Sequence, residues 1–431
     1  MDQGAPLDVL VEVGAQQALR DDRDLVEAAI RKGLQSGSAA LFLDGLDETR
    51  ELRHEVVRRL DTALTQVHED VEVVLSTRDA AYADARTLGF ASLRLLSPRN
   101  PEKTVRRILE EKANALSIRE DDKASWTGDR AKWVEDALRT ERGLGDTPLV
   151  PILLALLAAE REAGPLPTTR ARVLSEIVDD VVRRWEVTAR RRGTLRLGAL
   201  EGEAASLGLL DAFECIADVL GRLEAPTHAE VVGPVAVMLG GERWQVPHGQ
   251  AEATARDLLG FWDEMGVFAA GGSPPTVEAR VRLFIEVGEA RRVSKLPRDQ
   301  QTPWVRDATG DPDRHEILVL AAGLSSAIVG DLIGVVRLSR SHSLALLAAR
   351  AVREGATPSS ERLVELVRVL TSELESLPSE AWEAAQALAE LPVPGPMRGE
   401  IVEGIRNLPP PLRGLGVSSL LAWVGRGGSR S

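Results

Sequence analysis

The strongest constraint on the fold is a change in the hydrophobic pattern near residue 97. Before that point, short apolar runs at 7–13, 39–43 and 71–75 alternate with amphipathic segments. This alternation is typical of βαβ units in a parallel sheet. After it, amphipathic segments of helical spacing follow each other, separated by short Pro, Gly or Ser breaks. We therefore expect an α/β region followed by a mostly α-helical chain.

Each of the three apolar runs is expected to form a strand. The run at 39–43 is continuously apolar, which favours a strand buried within the sheet. The amphipathic segment at 52–67 is long enough to be the helix of a right-handed crossover connection. Such a connection would make the strands at 39–43 and 71–75 parallel.

The remaining chain is expected to form three further regions. Proline-punctuated helices predict a helical domain at 97–192. Between 193 and 294, short helices precede two apolar segments, 266–269 and 276–283, which predict a β-hairpin and a winged-helix-like domain. From 295 to 431 the predicted helices are too short to bury their apolar faces alone, so we expect an α-solenoid-like repeat tail. Examples of these helices are 315–324, 342–352, 360–374 and 380–391.

Charge and composition exclude several classes of function. The chain has 53 Lys and Arg against 66 Asp and Glu, a formal net charge of -13. Nucleic acid and anionic membranes are therefore not expected as partners. The single cysteine, Cys215, excludes an internal disulfide framework and a thiolate zinc site. No signal sequence and no apolar run of about 18 residues is present, so we expect a cytoplasmic protein.

The strongest chemical signal is the segment ALFLDGLDE at 40–48, an apolar strand that ends in three carboxylates. Open α/β sheets bind ligands at the carboxyl ends of their strands. The segment resembles a Walker B motif, which implies that Asp44 holds the water shell of Mg²⁺ and that Asp47 or Glu48 orients the attacking water. The alternative interpretation is a solvated strand end whose acids cap the following helix.

A second signal is VVLSTRD at 73–79, where the next strand ends in small hydroxyls and an arginine. Adjacent strand tips of a parallel sheet can face one nucleotide. Arg78 could then contact the γ-phosphate through bidentate hydrogen bonds, which suit its planar guanidinium. The alternative is a structural ion pair with Asp44 or Asp79.

Taken in order, these motifs resemble the NACHT branch of the STAND class of P-loop NTPases, over about 7–290. Further segments that carry the resemblance are RLLSP at 94–98, GDTPL at 145–149, LPTTRARVL at 166–174 and VVRRW at 181–185. The resemblance implies a partial NTPase core at 1–96, ATP and Mg²⁺ as ligands, and a place for Pro148 near the adenine. For Trp185, which the resemblance places at a helix end, ordinary core packing is the alternative.

Two features depart from the family pattern. The motif Gly-x-x-x-x-Gly-Lys-Ser/Thr occurs nowhere, and six residues precede the first apolar run. That loop supplies the N–H cradle and the lysine for the phosphates, so this chain is expected to bind ATP weakly or not at all. We expect either that the loop lies upstream, in which case the chain is a fragment, or that it has been lost. The segment RLFIEVGEA at 282–290, similar to the end of the family's winged region, has no histidine beside Phe284.

Two functions fit the sequence. The resemblance implies an ATP-dependent conformational switch for signalling, for instance in bacterial defence, whose helical repeats bind a protein partner or ligand and which oligomerises on activation. The rival is a non-enzymatic helical-repeat scaffold with a degenerate NTPase core. A phosphate loop encoded in frame upstream would favour the switch, and a stop codon there would favour the scaffold.

Overall fold

The computed structural model describes residues 6–15, 22–44, 46, 49, 52–77, 85–93, 101–140, 149–161, 165–223, 225–271, 275–374 and 378–391. Over these residues the chain is mostly helical, and its sheets are small, with two strands each. The chain divides into two compact units, Met1–Leu95 and Leu96–Ser431. None of the described helices combines the length and the apolar character needed to cross a bilayer.

The first unit is a small α/β structure. Its elements are α1 (Pro6–Ala15), α2 (Arg23–Ser36), β1 (Ala40–Leu43), α3 (Arg53–Leu64), β2 (Glu72–Leu75) and a 3₁₀ turn at Arg86–Leu88. β1 and β2 pair in parallel, with Ala40 opposite Glu72 and Leu43 opposite Leu75. The predicted strands at 39–43 and 71–75, their parallel pairing and the helix between them are therefore confirmed.

The predicted strand at 7–13 is wrong, because this segment forms helix α1. The buried residues of α1 are Leu7, Val11 and Ala15, spaced four apart, and the helix packs on α2 and α3. The run satisfies both a period of two and a period of 3.6, so the pattern alone does not decide between strand and helix. Pro6 at the first helical position is the local signal that favoured the helix.

The prediction that the strand at 39–43 is buried holds for only one of its faces. Leu41 and Val73 point into a cluster formed with α1, α2 and α3. On the other face, Phe42 and its cross-strand partner Val74 are 75% and 50% exposed. The described helices cover only one face of the sheet, whereas parallel sheets usually have both faces covered.

The second unit is built almost entirely of helices. Those of its first half are α4 (Pro101–Ala115), α5 (Glu120–Thr140), α6 (Leu149–Glu160), α7 (Arg170–Arg192), α8 (Glu203–Arg222), α9 (His228–Gly240) and α10 (His248–Glu264). The later ones are α11 (Arg282–Ser294), α12 (Arg298–Thr309), α13 (His315–Leu324), α14 (Ser326–Ser339), α15 (His342–Arg353), α16 (Ser360–Glu373) and α17 (Pro378–Glu390). Two strand pairs interrupt them, β3 (Arg196–Leu197) with β4 (Leu200–Glu201) and β5 (Phe268–Gly271) with β6 (Thr276–Ala279).

Local signals explain where several of these helices begin and end. Thr169 caps α7 by accepting a hydrogen bond from the Arg172 amide, and Gly193 ends the helix in the left-handed conformation. α9 begins with a capping box, in which the Thr227 hydroxyl accepts from the Glu230 amide while the Glu230 carboxylate accepts from the Thr227 amide. Both caps satisfy N–H groups that the first turn of a helix leaves unpaired.

The core between 193 and 294 is aromatic. Phe213 of α8 packs against Trp262 of α10 and Phe268 of β5, with ring centroids 5.0 and 5.7 Å apart. The predicted hairpin is present as the antiparallel pair β5–β6, but its second strand ends at Ala279. The predicted strand residue Leu283 instead lies in α11, which begins at Arg282. The winged-helix interpretation of this region stays a prediction.

Between 298 and 390 the helices form two layers. In one layer α12 packs on α14 and α14 on α16, and in the other α13 packs on α15 and α15 on α17. The predicted helices at 315–324, 342–352, 360–374 and 380–391 are therefore confirmed as helices. Contact between each helix and the next but one is the arrangement expected of stacked helical hairpins.

Candidate functional site

The parallel pairing of β1 and β2 brings Asp44 and Ser76 together. Each residue directly follows the last residue of its strand, and Leu43 and Leu75 are opposite each other. The Ser76 amide donates to the Leu43 carbonyl at 2.8 Å, which extends the ladder by one step. The Ser76 hydroxyl donates to the Asp44 carboxylate. The two strands thus place a carboxylate and a hydroxyl at one edge of the sheet.

The chemistry of this pair suits a hard cation. Asp44 is exposed, so a ligand that approaches this edge can reach its carboxylate. Carboxylate and hydroxyl oxygens are the donors that Mg²⁺ prefers, often through bound water. Over the described residues, no three His, Cys, Asp or Glu side chains are grouped as a metal site. Asp44 and Ser76 would therefore need further oxygens, from water or from phosphate.

Two described residues that follow Asp44 are anchored in the first unit. Leu46 is buried in a cluster with Val57 and Leu60 of α3. The Thr49 hydroxyl donates to the Leu46 carbonyl at 2.7 Å. Leu46 and Thr49 are therefore held in place near the end of β1.

Four of the five predicted site residues lie outside the described residues. They are Asp47, Glu48, Arg78 and Pro148. The segments 94–98 and 145–148, which contribute to the resemblance, lie outside them as well. Their predicted roles stay predictions, and Asp44 is the predicted site residue whose surroundings the structure describes.

The structure also describes Trp185 and Cys215, two other residues that were considered from the sequence. Trp185 lies within α7 and contacts Phe261 edge to face, at 5.5 Å between ring centroids, as the core-packing alternative predicted. Burial, together with Asp218, raises the pKa of the Cys215 thiol to about 11. Its thiolate is therefore scarce at neutral pH, which does not suit a nucleophile.

A buried ion network centred on Arg291 joins three helices of the second unit. Its guanidinium, on α11, donates to Glu214 of α8 at 3.0 Å and to Asp179 of α7 at 2.9 Å. It also donates to the Ser175 carbonyl at 2.9 Å, and Lys295 donates to Glu214 at 2.6 Å. Burial would lower the pKa of Arg291, but Asp179 and Glu214 outweigh this effect and raise it.

A second network connects the start of α7 to the helical layers. Arg170 lies 2.5 Å from Glu316 of α13 and 3.0 Å from Glu354, which follows α15. Arg350 of α15 pairs with the same two carboxylates, at 2.6 and 2.8 Å. Through this quartet, α7 is held to both α13 and α15.

Sequence reasoning gave no role to Ser76 or to either network. Ser76 had a usable signal, because it follows β2 at the same offset as Asp44 follows β1. The two networks had no usable signal in the sequence, because Arg291 and Arg170 lie more than 100 residues along the chain from several of their partners.

Comparison of the chain with models of known protein families, with curated proteins and with solved structures finds no match. The NACHT interpretation therefore stays a prediction from the sequence motifs.

Proposed function

We propose that this chain is the switch region of an ATP-dependent signalling protein of NACHT type, with its helical layers as the surface for a protein partner. The observation that carries the proposal is the contact between Asp44 and Ser76 at the ends of two parallel strands. A nucleotide-binding sheet edge needs polar groups on adjacent strand tips, and this edge has them.

The roles of the residues follow from their places in the two sequence motifs. Asp44 and Ser76 would hold Mg²⁺, directly or through its bound waters, and the ion would neutralise charge on the phosphates. Asp47 or Glu48, which follow Asp44 in the motif, would orient the attacking water, and Arg78 would contact the γ-phosphate. These groups bind and position the nucleotide, so hydrolysis serves to time the switch.

The two ion networks support transmission within the second unit. Arg291 ties α7 to α8 and α11, while Arg170 ties α7 to α13 and α15. Since both networks include α7, a displacement of this helix is passed to the helical layers. Partner binding to those layers would in turn bias the position of α7.

The test uses the protein encoded by the longest open reading frame that contains this chain. We expect it to bind Mg²⁺-ATP, and we expect Asp44→Ala to weaken that binding by at least about tenfold, because a charged ligand contact is lost. Asp61→Ala, at an exposed position on α3, is the matched control and should bind like the parent. Isothermal titration calorimetry measures all three proteins. Equal affinity of the parent and Asp44→Ala would contradict the proposal.

The 431-residue chain alone is expected to bind Mg²⁺-ATP weakly or not at all. Its sequence has no phosphate-loop motif, which in P-loop proteins supplies most of the contacts to the phosphates. Calorimetric titration of the purified chain tests this expectation. A dissociation constant of about 1 µM or tighter would mean that other residues bind the phosphates.

The second candidate is a helical-repeat scaffold without nucleotide chemistry. The two layers of helices between α12 and α17 favour it, because such stacks offer extended binding surfaces. If the full reading frame binds no ATP while the chain still binds a protein partner, the scaffold is the better description.

A further inference from the structure

His342 lies between two carboxylates from two different helices. It is the first residue of α15, and its Nδ1 is 2.5 Å from Glu373, at the end of α16. Its Nε2 is 3.0 Å from Glu383 of α17. A carboxylate accepts hydrogen bonds, so both ring nitrogens must carry a proton to satisfy both contacts. This geometry selects the positively charged imidazolium.

We propose that His342 is a pH-sensitive clamp, which strengthens the contact of α17 with α15 while the ring is doubly protonated and weakens it when the ring loses one proton. The clamp connects the outermost described helices of the two layers. It does not depend on the proposed nucleotide function, because all its groups lie in α15, α16 and α17.

The packing between α15 and α17 explains why one polar contact matters there. A groove of about 220 Å³ lies between the two helices, with Leu346, Ala349 and Ala387 among the residues that line it. Polar bridges join the helices beside this groove, the His342–Glu383 contact and an ion pair between Arg353 and Glu390 at 2.8 Å. α17 also buries Ala384 and Leu388 against the core, so these bridges add to apolar packing that is incomplete at the groove.

The charged groups that face the ring come from α16 and α17. Glu373 is largely buried, whereas the side chain of Glu383 is 53% exposed. On the other two helices that pack on α15, Glu316 and Arg337 form ion pairs away from the ring. Glu316 of α13 pairs with Arg350 at 2.6 Å, and Arg337 of α14 pairs with Glu365 at 3.3 Å.

The surroundings set the direction of the pH response. Burial would lower the pKa of His342, but the hydrogen bonds and charges of Glu383 and Glu373 outweigh it, so the pKa is raised above 6.5. A group with a raised pKa in the folded state stabilises the fold below its unfolded pKa, and this contribution is lost as pH rises through the folded pKa.

The order of release follows from exposure. When the ring becomes neutral, the remaining proton stays on Nδ1 and is donated to the buried Glu373, because leaving that carboxylate without a donor is costlier. Nε2 then presents a lone pair to Glu383, which water can hydrate. The contact to α17 is therefore the one that breaks.

Hydrogen exchange of the full chain, corrected for the intrinsic pH dependence of exchange, tests the clamp. Between about pH 6 and about pH 9, protection of the α17 amides in the parent should fall by up to about tenfold for each unit by which the His342 pKa is raised. His342→Gln should show no such step, since its amide does not titrate. His248→Gln, at an exposed histidine outside the clamp, should retain the step.

A direct titration of His342 tests the clamp even if His342→Gln folds poorly. In the parent protein with labelled histidine, the His342 ring signals should titrate above pH 6.5, the ordinary value for histidine. Glu383→Gln should lower that pKa, because it removes one of the two charges. A His342 pKa at or below about 6.5, or an exchange step that persists in His342→Gln, overturns the clamp.

Discussion

Replacing Arg291 with methionine is expected to destabilise the second compact unit by about 3–5 kcal/mol, the range found when one partner of a buried ion pair is removed. Arg291 is 5% exposed, and its guanidinium donates to Glu214, Asp179 and the Ser175 carbonyl. Methionine keeps much of the volume but no donor. Urea denaturation followed by circular dichroism, with the slope compared between variants, measures the change.

The destabilisation comes mainly from the carboxylates that remain. Glu214 is 4% exposed and would keep Lys295 as its only described cationic partner. The double variant Arg291→Met with Glu214→Gln should therefore be more stable than Arg291→Met alone, because it removes a buried carboxylate that has lost one of its two cations. Such a recovery would separate an electrostatic cause from a simple loss of packing.

A surface arginine of the same unit provides the matched control. Arg190 of α7 pairs with Glu186 one turn away, and its side chain is 59% exposed. Arg190→Met should cost less than about 1 kcal/mol, as exposed ion pairs do. Equal effects of Arg291→Met and Arg190→Met would show that the network around Arg291 contributes little to stability.

The sequence predicted the secondary structure well where one periodicity was unambiguous. The four helices named for the tail, the β5–β6 hairpin and the two parallel strands appear where expected. The prediction failed at 7–13, where Leu7, Val9, Val11 and Val13 fit a strand and Leu7, Val11 and Ala15 fit a helix. Packing of that segment along α2 and α3 selects the helix. The local hydrophobic pattern does not show which elements the segment packs against.

The candidate site was predictable only in part. The sequence placed Asp44 at a strand end, and parallel pairing then brought it beside Ser76. The exposure of Phe42 was not predictable, because a continuously apolar strand indicates burial but not what covers each face. Ion partners such as Arg291 and Glu214 are 77 residues apart, and side-chain charge alone does not pair them.

Trp262 is the residue whose truncation should most damage the aromatic core of the second unit. It is fully buried, and its ring centroid lies 5.0 Å from that of Phe213 and 5.1 Å from that of Phe261. Its indole N–H donates to the Leu209 carbonyl at 3.0 Å. The side chain therefore links α10 to α8 by packing and by a hydrogen bond.

Trp262→Ala should lower the free energy of unfolding by about 3–5 kcal/mol, because a large aromatic group is replaced by a cavity. Trp262→Phe keeps most of the ring volume and loses the hydrogen bond, so it should cost about 1–2 kcal/mol. Val237→Ala, at a position on α9 that is 77% exposed, should change stability by less than about 0.5 kcal/mol. Urea denaturation orders the three variants, and a Trp262→Ala protein no less stable than Trp262→Phe would mean that the core closes around the missing ring.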